Sequence, residues 1–532
     1  MIRPGRGQIR ETAKKPKTYE TVSFPAPVRG IVLTEPLAAP QPGSAAALDN
    51  GFPMQSTVRV RGGSTRHATV DGPVESLFSY RSGGTRKFFA ATFGDVYEIT
   101  APASPTVVPD PDITGQLGGY YSAIPFTTSA GQFLYILNGS NDAQLYDGTT
   151  WSAINASSTP ISITDVNSAD LMQGCAYRNR LFFVQKNSMD VWYPEVSVLG
   201  GALNKFTLQG IYRMGGAVLF VATWSLDAGD GIDDKFAVVS TEGEIAVFEG
   251  SNPSDPEDWR LVGVYEGARP LGKNAWLRVG GDLLILTDVG IIPLTQIINK
   301  DPAALSMAAV SRNIEPVWRA EAAKRTRPWE MVKSTNGNIG LVNFPVTTTL
   351  DDPYCYVVNL ETGAWGRYTG WDTRCLHVFN ELPYFGTNDG RIMLGENGGD
   401  DDGAAYTFYC AGAFDQLGAP GALKTLHQGR SSYIAGSPFH ARLSASVNYQ
   451  LDPPPPPNSP ANYHVDEWDV GLWDVALWDS GTSSEPRMVW DTVGRTGVAI
   501  SWHVQATFGY TPTPKVELAS VDLVYEQAEV AV

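Results

Sequence analysis

From about residue 70 onward, short apolar runs alternate with turns rich in Gly, Asn and Asp. Six such units stand out: "RKFFAATFGDVYEIT", "GQFLYILNGSNDAQLYDGTTWSAI", "CAYRNRLFFVQKNSMDVWYPE", "KFAVVSTEGEIAVFEG", "GGDLLILTDVGIIPLT" and "LHVFNELPYFGTNDGRIMLGE". Each places a β-rich run, a tight tip and a second β-rich run in order. The tips fall at Gly94-Asp95, Asn138-Gly139, Arg178-Asn179, near Asn187, and at Glu242-Gly243, Asp288-Val289-Gly290, Asn380-Glu381 and Asn388-Asp389-Gly390. Glycine and asparagine accept positive φ at little cost, which suits them to hairpin tips. Repeated units of this kind predict an all-β chain, with a β-propeller of about six irregular blades over residues 71–400. A pair of β-sandwiches is the competing all-β arrangement. One interruption is predicted to be helical: in "SMAAVSRNIEPVWRAEAAKRT", Ile314, Val317 and Trp318 recur at helical spacing.

The flanks differ from the middle. Residues 1–20 form a basic arm. Residues 21–70 run through a Pro/Ala-rich stretch into "STVRVRGG", whose alternation of apolar and basic positions predicts a strand with one wet face. Residues 401–532 carry a Pro-rich loop at 453–460 and two alternating stretches, Val498 to Thr507 and Val516 to Tyr525. These predict a second, β-rich platform domain, completed by the strand near Val58–Val60 of the 21–70 segment. Within it, "HVDEWDVGLWDVALWDSG" sets Trp468, Trp473 and Trp478 five residues apart, each followed by Asp. A WD-repeat blade recurs only every 40–45 residues or so, which excludes that reading. The three indoles are expected to pack in the platform core or at a contact between subunits.

Composition supports a folded chain: 43% of residues are hydrophobic and 18% charged, so extensive disorder is excluded. No apolar run reaches the length of about 20 residues needed to span a bilayer, and no secretory signal opens the chain. Stable membrane association is therefore not expected. Cys175, Cys355, Cys375 and Cys410 are scattered, without a CxxC, which fits reduced thiols. The net charge of −17 is uneven: residues 1–87 carry 13 Lys and Arg against 6 Asp and Glu, and the remainder 26 against 50. An acidic body is a poor static binder of nucleic acid, because phosphate binding rests on Lys and Arg. A basic arm on such a body suits docking to an acidic partner, including another copy. Arg3, Arg6, Arg10, Lys14, Lys15 and Lys17 are the arm's candidates for that role.

Candidate chemistry is sparse. The six histidines are far apart, and neither an HExxH motif, a GxSxG elbow, a Walker loop nor a dinucleotide fingerprint is present in the required context. No catalytic set and no cofactor is expected. In "LDAGDGIDDK", Asp227, Asp230, Asp233 and Asp234 offer oxygen ligands of the kind Ca²⁺ takes, but the spacing departs from the EF-hand loop and no bidentate Glu follows, so a solvated hairpin tip is the expected reading and calcium the weaker one. "NGGDDDG" is a weaker case of the same kind.

Three stretches carry a resemblance: "FAVVSTEGEIAVFEGSNPSDPEDWRLVGVYEGARPLGKNAWLRVGGDLLILTDVGIIPLT", "RPWEMVKSTNGNIGLVNFP" and "YVVNLETGAWGRYTGWDTRCLHVFNELPYFGTNDGRIMLGENGGDDDG". Together with the opening "PAPVRGIVLTEPLAAP" and the Trp-rich end, they resemble the tail nozzle proteins of short-tailed bacteriophages, also called tail tubular protein B or tail hub. The resemblance implies a propeller fused to a second β domain. It implies a homo-oligomeric ring, a hexamer, beneath a tail adaptor protein, carrying a tail fibre or needle protein. Genomic double-stranded DNA would pass through the ring without any enzymatic step. It implies synthesis in a bacterial cytoplasm and residence in the virion tail. An acidic channel wall would let a duplex slide where a basic one would hold it. The alternative from another class is a receptor-binding or polysaccharide-binding tail protein; a secreted propeller enzyme is a third.

Overall fold

The computed structural model describes residues 19–36, 39–103, 107–227, 232–324, 328–334, 337–344, 353–436, 439–459, 485–510 and 512–528. The chain is all-β, with a β-propeller and a β-sandwich platform. Six sheets stand alone as blades, and each contains one of the six units recognised in the sequence. The first runs Ser76–Ser82, Thr85–Ala91, Val96–Glu98 and Pro111–Ile113, and the second Ser122–Thr128, Gly131–Leu137, Ala143–Tyr146 and Trp151–Ile154. The third and fourth open on Leu171–Tyr177 and Val218–Asp227, and the fifth has three strands, Trp276–Val279, Asp282–Thr287 and Gly290–Pro293. The last joins Cys375–Phe379, Leu382–Gly386 and Arg391–Gly395 to Ser64–Thr69, so a strand from the start of the chain closes the propeller.

Between the fifth and last blades the ring is completed by a sector shared with the platform. Met331–Ser334, Ile339–Asn343, Tyr354–Asn359 and Trp365–Thr369 form the near half of an eight-stranded sheet. Its far half, Ala45–Asp49, Tyr406–Gly412, Ile500–Phe508 and Ala441–Val447, is one layer of the platform. The other layer is a seven-stranded sheet built on Val516–Gln527 and Lys424–Ala435. Val58–Val60 pairs with Val516–Gln527, and Tyr19–Pro25 lies along the same strand. The 21–70 segment therefore divides: its first strands join the platform, and Ser64–Thr69 belongs to a blade.

Local chemistry explains the hairpins. Arg178 and Asn179 have φ of 46° and 59°, and Asn380 and Glu381 have 51° and 68°. Two consecutive residues at positive φ make the type I′ turn, whose twist matches that of the strands. The registers Tyr177↔Arg180 and Phe379↔Leu382 show the two-residue loops. The helical interruption lies between the fifth blade and the shared sector, as Leu294–Asn299, Leu305–Ala308 and Glu315–Lys324. Trp318 is fully buried there, and its indole N–H donates to the Thr287 carbonyl at 2.8 Å.

Each blade packs on the next through its own apolar cluster. Phe78, Phe89 and Tyr146 join the first to the second, and Phe182, Phe236 and Trp259 the third to the fourth. Phe88 and Tyr384 join the last to the first. Buried aromatics of this kind dominate core energetics, at roughly 3–5 kcal/mol lost on truncation to Ala.

Candidate functional site

Two arrangements of charge stand out within the core. The first lies on the propeller axis. The opening strand of every sector contributes to one central cavity of about 510 Å³, with Ser79, Ile124, Cys175, Thr223, Trp276, Met331 and His377 among its walls. Its floor is closed by the loop before the fifth blade. From this loop Lys273 reaches across the axis, and its ammonium donates to the carbonyls of Tyr120 (2.8 Å), Met172 (2.8 Å) and Leu137 (3.3 Å). Three acceptors match the three N–H bonds of the ammonium group. Asn274 beside it donates to the Tyr121 carbonyl at 2.9 Å. Glu330, on the shared sector, accepts from the Leu376 amide at 3.0 Å. Burial pulls Lys273 down to about 7, opposed by Glu330, and pushes Glu330 up to about 7 against the Leu376 amide, Asn274 and Lys273. His377 accepts or donates at 3.0 Å with the Ser79 hydroxyl, and burial holds it down to about 4, so it is neutral at physiological pH.

The closed floor decides one question. Lys273 ties the axis to the Tyr120, Leu137 and Met172 carbonyls, which leaves no opening for a duplex whose major groove alone is about 12 Å wide. The propeller axis is therefore not a duplex conduit.

The second arrangement joins propeller to platform. Arg61 is completely buried, and all five of its N–H bonds are used. Nε donates to Asn50 Oδ1 at 2.7 Å; Nη1 donates to the Gly62 carbonyl at 2.8 Å and to Asp401 Oδ1 at 3.0 Å. Nη2 donates to the Thr369 carbonyl at 3.1 Å and to Asp401 Oδ2 at 2.6 Å. The guanidinium lies 3.9 Å from the Tyr406 ring centroid and 5.0 Å from that of Trp371. Burial alone would lower its pKa, but Asp401 outweighs burial and holds it above the ordinary value. Beside it, Arg59 donates to Glu396 at 2.9 Å, and Glu396 also accepts from the Tyr368 hydroxyl at 2.5 Å and the Gly62 amide at 2.9 Å. Burial would raise Glu396, but Arg59 and these donors hold it low. Arg66 and Arg391 share Asp402.

These contacts correct the expectation for "STVRVRGG". Its basic face is not wet: Arg59 and Arg61 point into acidic partners from "ENGGDDDG", and Arg66, five residues on, does the same. They also account for two carboxylates of "NGGDDDG": Asp401 and Asp402 are counterions to arginines. The two glycines that end "STVRVRGG" are required by close approach, since a Cβ on Gly63 would collide with the Asp400 carbonyl, and one on Gly62 with the Glu396 backbone.

Of the calcium candidates, Asp234 accepts from the Ser225 hydroxyl, while its carbonyl accepts from Tyr177 at 2.8 Å. The side chains of Asp227 and Asp233, and all of Asp230, lie outside the described part. Among the described residues no three His, Cys, Asp or Glu side chains gather as metal ligands. Arg3, Arg6, Arg10, Lys14, Lys15, Lys17, Trp468, Trp473 and Trp478 also lie outside the described residues. Sequence reading missed Lys273, Glu330 and Arg61. Their signal was faint: charges set among mostly apolar or small residues in "LGKNAW", "RPWEMV" and "VRVRGG".

No family model matches the chain, and no curated relative matches it. Among solved structures it is similar to BBS1N in complex with ARL6DN, at 9% identity over 64% of this chain and 97% of that one, with a TM-score of 0.36. It is similar to PorZ of Porphyromonas gingivalis, a surface component of a type-IX secretion system, at 15% identity over 66% of this chain and 43% of that one (TM-score 0.35). It is also similar to the β-propeller domain of Myceliophteria thermophila Cps50 (Swd1), at 12% identity over 63% and 99% (TM-score 0.38). At these values no functional argument is drawn from the likeness.

Proposed function

We infer that this chain is a structural subunit of the virion tail of a short-tailed bacteriophage, one copy of the nozzle ring that extends the DNA exit channel, retains packaged DNA and supports its ejection. The observation that carries the reading is the union of propeller and platform into one block. An eight-stranded sheet runs through both, and the fully paired Arg61 sits at their junction. Domains joined by a linker move by default, whereas a continuous sheet transmits load between them. A subunit that stands against the pressure of packaged DNA needs such rigidity. The closed propeller floor also fits, because the DNA path then lies between copies rather than through each one. A net charge of −17 supports a sliding wall at that path. Tail adaptor, tail fibre or needle proteins are the partners this role requires, and no reaction step is assigned to the chain.

Electron cryo-microscopy of the particle that contains the chain is the test. A ring of copies on the tail axis around a duplex-wide channel is expected. A peripheral position would replace the nozzle reading with a polysaccharide-binding one. The observation favouring that second reading is the open axial cavity, where Trp276 and Glu330 offer the aromatic and carboxylate groups a sugar takes. Binding of a host glycan, lost in Trp276→Ala, would support it.

A further inference from the structure

The seven-stranded platform sheet ends in two edges that, among the described residues, pair with nothing further. One is Glu485–Thr492, which pairs only with Lys424–Ala435; the other includes Tyr19–Pro25, which pairs only with Val516–Gln527. Soluble proteins protect such edges with charged side chains, prolines, bulges or covering loops. Glu485, Pro486 and Arg487 guard one end of the first strand and Pro25 one end of the second, but Met488–Trp490 and Thr21–Phe24 hold neither charge nor proline, and neither pairing has a register break. Along the first edge, Met488 and Trp490 are each 59% exposed, and Ile434 stands beside Pro486 on the same outward face. On the second, Tyr19 is 57% exposed. Apolar side chains gathered along an unpaired edge mark an interaction site.

The two edges suit each other. The strands have eight and seven residues. Within the sheet, Tyr19–Pro25 and Lys424–Ala435 both run antiparallel to Val516–Gln527, and Glu485–Thr492 runs antiparallel to Lys424–Ala435. A second copy related by rotation about a ring axis would therefore bring its Tyr19–Pro25 antiparallel to Glu485–Thr492 of the first. Any register that keeps Val489 with Val22 and Phe24 on the inward face sets Met488 and Trp490 beside Tyr19, Thr21 and Ser23 on the outward face.

We propose that a second copy of this chain occupies each edge, so that Glu485–Thr492 of one subunit adds antiparallel to Tyr19–Pro25 of the next and the platform sheets continue around a ring. The contact is heterologous, and such contacts close into rings. The proposal names the subunit surface for the nozzle reading and rests on that reading for the ring.

The test uses the full chain at tens of micromolar and low salt. Thr21→Cys combined with Met488→Cys, or with Trp490→Cys, is oxidised and run on a denaturing gel. A ladder of covalent multimers from one of the pairs is expected, with no product larger than a dimer from any single variant. Trp490→Lys, at an exposed position, is expected to keep the wild-type melting curve and lose at least tenfold in association by sedimentation. A monomeric wild type, or an assembly unmoved by Trp490→Lys and Met488→Lys, overturns the proposal. The two readings separate cleanly. A ring on a tail axis built on another surface keeps the nozzle and removes this contact. Edge pairing in a protein found in no phage particle keeps the contact and removes the nozzle.

Discussion

Replacing Arg61 by methionine should loosen the joint between propeller and platform more than any other single charge removal near it. The structure sets the magnitude. Methionine fills much of the space but leaves the Asp401 carboxylate, Asn50 Oδ1 and the carbonyls of Gly62 and Thr369 without their shared donor. Removing one member of a buried ion pair costs about 3–5 kcal/mol, mostly because the other charge is stranded. Asp401 keeps two donors, the Ser64 hydroxyl at 3.0 Å and the Trp371 indole at 3.1 Å, which places the cost toward the lower end. Arg61→Met with Asp401→Asn removes the stranded charge while an amide oxygen still accepts from both donors, so the double variant should lose less than Arg61→Met alone. A chain of several sheets need not unfold in one step. The assay is therefore native-state hydrogen exchange over residues 61–69 and 391–402, where Ser64 N–H donates to the Asp400 carbonyl. Exchange there should accelerate about a hundredfold or more in Arg61→Met, matching ~3 kcal/mol. Arg86→Met, at an exposed arginine bonded to Asn380, is the control and should change little. If Arg61→Met exchanges no faster than Arg86→Met, the junction does not depend on this ion pair.

Four further outcomes are expected. The Glu330 carboxyl is raised from 4.5 to about 7 in the fold, so the native state holds its proton more tightly than the unfolded chain. Its contribution to stability is full below pH 4.5 and is lost as pH rises toward 7; Glu330→Gln should flatten that fall in a series of melts at pH 4.5–7. His377 and His503, both held to about 4 by burial, should show no imidazole titration above pH 5 by NMR. Buried Cys355, Cys375 and Cys410, whose thiol pKa values are raised by burial, should resist a thiol reagent until the protein is denatured. Gly63→Ala, which drives a methyl group into the Asp400 carbonyl, should destabilise the closing strand by about 2 kcal/mol or more and expose it to protease.

What was legible in the sequence was local. Turn chemistry at Arg178-Asn179 and Asn380-Glu381 located hairpins because positive φ leaves a residue signature. Helical spacing at Ile314, Val317 and Trp318 located the interruption because one buried face must repeat. The shared sector Met331–Thr369 was not singled out in the sequence, since its strands are buried almost throughout and lack alternation: Ile339–Asn343 is buried at all five positions. The charged core was hidden for a different reason. Arg61 and Asp401 are 340 residues apart, and a lone arginine after a valine looks the same whether it faces water or a distant carboxylate. Ser64–Thr69 misled by position, because adjacency in the chain suggested the platform while pairing with Arg391–Gly395 placed it in the propeller.

That last pairing orders events during synthesis. The strand Ser64–Thr69 leaves the ribosome early, and its partner Arg391–Gly395 follows roughly 330 residues later; at about 5–20 residues per second the gap is roughly 15–65 s. Throughout that interval the nascent chain holds an unclosed arc of blades with the strand Ser64–Thr69 unpaired at one end. Blades can form one after another, but the ring can shut only after the final blade is made. A ribosome that pauses within the shared sector prolongs that exposed state, so chaperone demand should track elongation speed over residues 331–395.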